Sequence, residues 1–163
     1  CECSTLNTLS EAGEAINAIA ELIHSDTVKG TIKFTQELGN ATIITGTITG
    51  VKPGEHGFHI HEFGDLSGGC DTAGAHYNPD NVDHGDLEEG HVGDLGNVVA
   101  DDDGVVTLNI SATRVDLSGD RSVVGRSIVI HSDRDDLGLG GDAESIKTGN
   151  SGERLACGVI VLS

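Results

Sequence analysis

Residues 28–35 read VKGTIKFT, in which small or apolar residues alternate with polar ones. A period of two places the apolar side chains on one face of a β-strand. Similar short runs recur between clusters of Gly, Asp and Asn, and no long helical pattern separates them. They predict about eight strands, and therefore an all-β antiparallel sandwich or barrel. The predicted strands are 16–23, 28–35, 41–49, 56–62, 96–100, 105–111, 126–131 and 157–162.

Two intervals between these strands, 63–95 and 132–156, are too long to be hairpin turns. Both are rich in Gly, Asp and His. Long loops in a compact domain usually carry binding or catalytic residues. We therefore expect the functional residues to lie in or beside these two loops.

Residues 1–15 depart from the strand pattern. Their spacing allows a short helix, although Gly13 weakens it and so short a helix is marginal by itself. Two interpretations stay open, a frayed terminus or an oligomerisation segment in which Cys1 and Cys3 crosslink chains. The chain is thus divided into an N-terminal extension, 1–15, and one β domain, 16–163. The apolar face of the helix would hold Leu6, Leu9, Gly13 and Ile16.

The chain is strongly acidic. Its 163 residues carry 27 Asp and Glu against 9 Lys and Arg, a formal net charge of -18. Nucleic acids and anionic membranes bind basic surfaces, so neither is expected as a partner. No apolar run approaches the roughly 20 residues of a membrane helix, so no membrane span is predicted.

The cysteines and two N-glycosylation motifs indicate whether the protein is secreted or cytoplasmic. The four cysteines are too dispersed for a compact Cys-rich metal cluster, and their even number permits disulfides. The triplets Asn40-Ala41-Thr42 and Asn109-Ile110-Ser111 match the N-glycosylation pattern. These features favour a secreted, extracellular protein, with a cytoplasmic location as the alternative.

Histidines carry the strongest chemical signal. Six of the eight histidines fall between His59 and His131. His59 and His61 lie two apart in a predicted strand, so both imidazoles project from one face of the sheet. A pair of this kind alone is often only solvated, but here more histidines and Asp94 follow in the first long loop. Imidazoles with one carboxylate suit zinc or copper better than calcium or magnesium, so a metalloprotein is predicted.

Four segments of the chain resemble the signature motifs of copper/zinc superoxide dismutases. They occur in the order found in that family, and the resemblance extends over about residues 18–162. It implies a Greek-key β-sandwich and an oxidoreductase that converts superoxide to dioxygen and hydrogen peroxide. The segments are GFHIHEFGD (57–65), GAHYNP (74–79), HVGDLGN (91–97) and GNSGERLACG (149–158).

The resemblance also implies the ligands of one copper and one zinc ion per chain. His76 would bridge the two ions, and the copper would be reduced and reoxidised by successive superoxide molecules. Asp135 would link a copper-binding histidine to a zinc-binding one, and Cys70 would form a disulfide with Cys157. The copper ligands would be His59, His61, His76 and His131, and the zinc ligands His76, His84, His91 and Asp94.

Substrate steering is where the chain departs from the family pattern. The resemblance implies that Arg154 docks the superoxide anion and that Lys147 helps to attract it. Asp133 stands where the family commonly has a lysine, and we expect the next residue, Arg134, to replace that lysine in part. Ala143 and Leu139 likewise replace charged residues that are frequent in the family.

Family members usually form symmetric dimers, so a homodimer is expected, with a higher oligomer possible through the extension and its two cysteines. The metal site allows two other interpretations. One is a metal-binding or copper-delivery module without turnover, which the presence of all four copper positions and Arg154 disfavours. The other is a copper-only enzyme, which His84, His91 and Asp94 disfavour.

Overall fold

The computed structural model describes residues 13–163, which are almost entirely β-structure. Residues 1–12 lie outside the described residues, residues 13–15 have no regular secondary structure, and Ile16 opens the first strand. One short helix, α1 (Ser145–Thr148), lies in the second long loop. The strands are β1 (Ile16–Glu21), β2 (Lys29–Gln36), β3 (Thr42–Thr49), β4 (Gly54–His61), β5 (Asp94–Ala100), β6 (Val106–Ala112), β7 (Ser127–His131), β8 (Arg154–Val159) and β9 (Val161–Leu162).

These strands form one antiparallel sheet in the order β8-β7-β4-β5-β6-β3-β2-β1-β9. The pairing of β3 with β6 and of β4 with β7 joins strands that are distant in sequence, as in Greek-key folds. The backbone NH of Ile23 donates to the carbonyl of Cys157 at 2.7 Å, which brings the end of β1 against β8. The sheet is therefore a nearly closed barrel, and the predicted all-β antiparallel architecture is confirmed.

The end of the chain differs from the prediction in one detail. Residues 157–162 were expected to form one strand, but the structure divides this region into β8 and the two-residue β9. Ile160 separates them, because its backbone is bound instead to the turn before β7. Its NH donates to the carbonyl of Arg126 at 2.9 Å, and its carbonyl accepts from Gly125 at 2.7 Å. The turn thus takes the hydrogen bonds that would have continued the strand.

Strand β4 positions the predicted metal ligands. Phe58 and Ile60 are fully buried in the barrel core. His59 and His61 alternate with them and are equally buried, although they face the opposite way. They are covered by the two long connections, since His59 contacts Asp135 of the second and His61 contacts Gly74 of the first. The loops thus enclose the outer face of β4.

A disulfide fixes the first long loop to the barrel. Cys70 lies in a short 3-10 turn, Gly69–Ala73, and is bonded to Cys157 of β8 across a sequence separation of 87. This is the pairing that the family resemblance implied. Both cysteines are buried, and Ala73 and Val129 pack beside them. No helix within residues 13–163 has the length and apolar character that crossing a bilayer requires.

Candidate metal centre

Four histidines converge beneath the two loops. His59 and His61 come from β4, His131 ends β7, and His76 is held by a β-bridge to His61. One ligand atom of each lies within 4.8 Å of the others, and all four residues are buried. The His59 ring stacks on that of His76 with 3.9 Å between centroids. The fold thus brings together residues separated by up to 72 positions in the sequence.

A second group is centred on Asp94, the first residue of β5. His76, His84 and His59 each offer a ligand atom within 4.8 Å of the others and of an Asp94 oxygen. His91, which the resemblance assigns to zinc, is not in that tight set. Its Nδ1 nevertheless lies 3.3 Å from Nδ1 of His76 and 3.3 Å from Oδ1 of Asp94. Nε2 of His59 is taken by Asp135 at 2.6 Å, so Nδ1 is the nitrogen that His59 could offer to a metal ion.

Two buried nitrogen atoms lack the hydrogen bonds that buried polar atoms normally make. Within residues 13–163, Nδ1 of His59 and Nδ1 of His84 have no hydrogen-bond partner. Nδ1 of His84 lies only 2.9 Å from Oδ2 of Asp94, yet without hydrogen-bond geometry. An unsatisfied buried group costs about 1–3 kcal/mol. A metal ion bound to each group would satisfy both nitrogens, and imidazole with carboxylate is a donor set that suits copper and zinc.

Burial prepares most of these histidines for metal binding. Desolvation lowers the pKa of His59, His61 and His76, and it lowers the pKa of His131 to about 3. These rings are therefore neutral at pH 7 and hold a lone pair that a metal ion can accept.

The Asp94 group has the opposite electrostatics. Burial lowers the pKa of His84, but the hydrogen bond to Asp135 and the negative charges of Asp94 and Asp135 outweigh it and raise that pKa to about 9. Burial likewise favours the protonated form of Asp94, yet the hydrogen bond from His76 and the close approach of the His84 and His91 rings hold its pKa well below the usual range. Asp94 is thus an anion that draws positive charge to this group.

Asp135 joins the two groups. Its Oδ2 lies 2.6 Å from Nε2 of His59, and its Oδ1 lies 2.7 Å from Nε2 of His84. The carboxylate is fully buried and accepts a further hydrogen bond from the backbone NH of Leu137 at 2.7 Å. Such partners fix the ring orientation and tautomer of metal-binding histidines.

Sequence reasoning missed the residue that holds Asp135. Asn97 of β5 donates from Nδ2 to the Asp135 carbonyl at 2.9 Å, and its Oδ1 accepts from the Asp135 NH at 2.7 Å. Asn97 ends the motif HVGDLGN, but the motif alone does not show what its amide contacts. Gly149 closes the other side of Asp135. It has a φ of 70°, and a Cβ there would collide with Oδ1 of Asp135.

Arg126 supports the loop that carries His76, a role that the sequence did not reveal. Its guanidinium carbon lies 3.8 Å from the centre of the Tyr77 ring. Its Nη1 donates to the carbonyl of Glu62 at 2.8 Å. Because Tyr77 directly follows His76, these contacts restrain the histidine that both groups share.

An open cavity of about 870 Å³ leads to the histidines. Arg154 lines it and is anchored by donating from Nη1 to the Cys70 carbonyl at 2.9 Å. Lys147 of α1 also lines the cavity and is exposed. Four acids share the lining with these two cations, so the cavity is not strongly positive. The acids are Glu62, Asp71, Asp83 and Glu144.

Arg134, which the sequence singled out, and the two remaining histidines, His56 and His24, lie outside this cavity lining. Arg134 is exposed, and its Nε pairs with Oε2 of Glu55 at 2.8 Å. The ring nitrogens of His56 lie 2.9 Å from the His131 carbonyl and 2.6 Å from the Lys52 carbonyl. His24 is exposed on the surface. None of these three side chains belongs to either group of ligand atoms, and His56 reaches the first group only through the backbone carbonyl of His131.

Comparison with known proteins gives the family. Residues 28–160 match the family model described as copper/zinc superoxide dismutase (SODC). The chain is also similar to the crystal structure of the clock protein EA4, with 46% identity and a TM-score of 0.87 over 90% of this chain and 94% of that chain. The chain therefore belongs to the copper/zinc superoxide dismutase family of oxidoreductases, which bind copper and zinc and dismutate superoxide.

Proposed function

We propose that this chain dismutates superoxide with a copper and a zinc ion joined through His76. The copper would be held by His59, His61, His76 and His131, and the zinc by His76, His84, His91 and Asp94. Support comes from the position of His76, which belongs to both groups of ligand atoms. Its Nδ1 lies 2.9 Å from Oδ1 of Asp94, so Nδ1 serves the zinc group and Nε2 is left for the copper group.

When bound, copper supplies the one-electron redox change that converts one superoxide to dioxygen and the next to hydrogen peroxide, while zinc has no accessible redox change. His76 contributes a proton site. Its ring would take up a proton at Nε2 in one half of the cycle and donate it to the reduced oxygen species in the other, where water supplies the second proton of hydrogen peroxide. Because Nδ1 lies against the Asp94 group, Nε2 is the nitrogen left to carry that proton.

Arg154 and Lys147 would bring the anion in. Arg154 is permanently charged, and its bond to the Cys70 carbonyl keeps the guanidinium at the cavity wall. The disulfide holds that carbonyl in place. Because four acids share the lining, the attraction must be local to these cations rather than a property of the whole surface.

The pair of buried nitrogens without hydrogen bonds, one in each group, is the observation that carries this proposal. The test is metal analysis of the protein after loading with both ions, followed by an assay of superoxide consumption. One copper and one zinc per chain with turnover supports the proposal. Stoichiometric copper without turnover indicates instead a metal-binding module, and copper without zinc indicates a copper-only enzyme.

We further propose a secreted homodimer built from the β domain 16–163. The Cys70–Cys157 disulfide is compatible with an oxidising compartment. Three exposed apolar residues, Ile23, Val161 and Leu162, lie on adjoining chain segments at the edge of the barrel and offer a surface for a second copy. Larger assembly through residues 1–15, with Cys1 and Cys3 as crosslinks, remains a prediction. Mass measurement distinguishes the homodimer from the larger assembly, and added reductant should dissociate the assembly if Cys1 and Cys3 crosslink it.

A further inference from the structure

Two Asn-x-Ser/Thr triplets, at Asn40 and Asn109, take no part in the metal site. They fall on the half of the barrel formed by β2, β3 and β6, whereas the metal groups use β4, β5, β7 and the two long loops. We propose that Asn109 and Asn40 each carry an N-linked glycan on this side of the barrel. The inference is independent of the proposed metal chemistry and rests on the proposed secretion of the chain.

Asn109 lies on the exposed face of β6. Ser111 lies on the same face and is also exposed, because residues two apart in a strand point the same way. Asn109 is opposite Thr45 of β3, a small side chain. On its other flank β6 pairs with β5 only at Val106 and Ala100, so no paired strand lies beside Asn109 there. A glycan at this position therefore has room on the open side of the strand.

Asn40 lies in the turn between β2 and β3 and is exposed. Its backbone NH donates to the carbonyl of Glu37 at 3.0 Å, and its Nδ2 lies 3.3 Å from Oε2 of Glu37. The hydroxyl of Thr42 is buried and donates to the Val115 carbonyl at 2.6 Å. Transfer to Asn40 must therefore precede folding, while the folded chain leaves the modified amide in solvent.

The strands on this side of the barrel carry few acids, although Glu37 lies beside Asn40 in the turn. The outward side chains of β1, β2, β3 and β6 include one acid, Glu21, and two cations, Lys29 and Lys33. Elsewhere the chain is so acidic that its net charge is -18. These strands therefore contribute little of the charge repulsion that keeps protein molecules from associating. Glycans would supply hydration and steric cover there instead.

The modification needs a lipid pyrophosphate-linked oligosaccharide as donor. Nδ2 of the asparagine forms a bond to the anomeric carbon of the first sugar. The bond from that carbon to the pyrophosphate oxygen breaks, and the lipid pyrophosphate leaves with the electron pair. Nδ2 gives up one proton, and nothing is oxidised or reduced. Attachment takes place in the same oxidising compartment where the Cys70–Cys157 bond forms readily.

The test is cell-free translation of the full chain behind a cleavable secretion leader, with microsomes, on material that is protected from added protease. Protection shows that the chain has entered the lumen. Treatment with an endoglycosidase should remove two glycan increments from the wild type, one from N109Q, one from N40Q and none from the double variant. N17Q is a matched control, because Asn17 is an exposed asparagine on the same face without the motif.

Each outcome decides the assignment. A protected wild type whose mass does not change overturns the inference at both positions. A single increment that is lost in only one of the two variants overturns it at the other position. N17Q should keep both increments, and loss of a glycan there contradicts the assignment to Asn40 and Asn109. Superoxide dismutation by N109Q and N40Q should match the wild type, since neither residue lines the metal cavity.

Discussion

The side-chain amide of Asn97 makes two hydrogen bonds to the backbone of Asp135. Its Nδ2 donates to the Asp135 carbonyl at 2.9 Å, and its Oδ1 accepts from the Asp135 NH at 2.7 Å. The two residues are 38 positions apart. Asp135 in turn binds His59 and His84, one from each candidate metal group. A single amide on β5 thus sets the position of the carboxylate that orients both groups.

Replacing Asn97 by Ala should weaken zinc binding about tenfold, because a displaced Asp135 no longer fixes the ring of His84. Competition with a zinc chelator measures this affinity directly. The matched control is Val99→Ala, an exposed position two residues further along the same strand, which should leave the affinity unchanged. Equal zinc affinity in Asn97→Ala and wild type would contradict a positioning role for Asn97.

Loss of the Arg154 guanidinium should slow superoxide consumption by about tenfold and reduce the dependence of its rate on salt. Arg154 lines the cavity and is held by the Cys70 carbonyl, so Arg154→Lys should also lose rate, since lysine cannot reproduce that geometry. Pulse radiolysis at several ionic strengths gives both quantities. A rate in Arg154→Ala equal to that of the wild type is the contrary result.

Arg134 provides the comparison for this experiment. Its pairing with Glu55 and its position outside the cavity lining predict a smaller effect for Arg134→Ala than for Arg154→Ala. The sequence-based expectation that Arg134 replaces the missing lysine in part predicts a measurable loss. If the rate and its salt dependence are both unchanged in Arg134→Ala, Arg134 has no steering role.

Breaking the disulfide should destabilise the metal-free protein. A link across 87 residues stabilises by about 4–5 kcal/mol in the chain-entropy model. Urea unfolding of a Cys70→Ser/Cys157→Ser variant measures the loss, in a background in which Cys1 and Cys3 are serine so that they cannot crosslink. Reduction of the parent protein should give the same decrease. A loss below about 1 kcal/mol would show that the link adds little to stability.

Acid should destabilise the metal-free protein through its buried histidines. The pKa of His131 is about 3 in the folded chain and about 6.5 when unfolded, so the unfolded chain binds more protons between these values. Stability from its neutral ring is therefore fully present above pH 6.5 and is lost as the pH falls towards 3. Urea unfolding of chelator-treated protein at pH 7 and pH 5 measures this change.

Between pH 7 and pH 5, the free energy of unfolding should fall less in His131→Gln than in the wild type. His24→Gln, at an exposed site, should show the same fall as the wild type. His84 works in the opposite direction. Its pKa of about 9 in the folded chain means that its contribution is present below pH 6.5 and is lost as the pH rises through 9. If the free energy of unfolding falls equally in His131→Gln and in the wild type, the burial of His131 does not cause the loss of stability in acid.

Local patterns in the sequence predict most of the strands and place His59 and His61 on one face, for physical reasons. Alternation at 28–35 is a local consequence of one buried face, and β2 is observed at Lys29–Gln36. The placement of His59 and His61 on one face follows from the same period of two. Their burial does not, because it depends on loops folded over the outer face of β4.

The sequence does not reveal which single side chains contact each other across the fold. The bonds between Asn97 and Asp135 and between Arg134 and Glu55 join residues 38 and 79 positions apart. No periodicity encodes such pairs, since they depend on which loop is laid against which strand. The division of the last predicted strand at Ile160 has the same origin, because its cause is the turn that precedes β7.

If the two buried groups hold copper and zinc for superoxide dismutation, protein loaded with both ions must consume superoxide catalytically. Pulse radiolysis measures superoxide decay with this protein and with equal amounts of protein loaded with zinc alone. We predict many turnovers per copper and a decay rate proportional to the concentration of the copper- and zinc-loaded chain. If superoxide decays no faster than with the zinc-only protein, although one copper is bound per chain, this chain does not use the bound copper to dismutate superoxide.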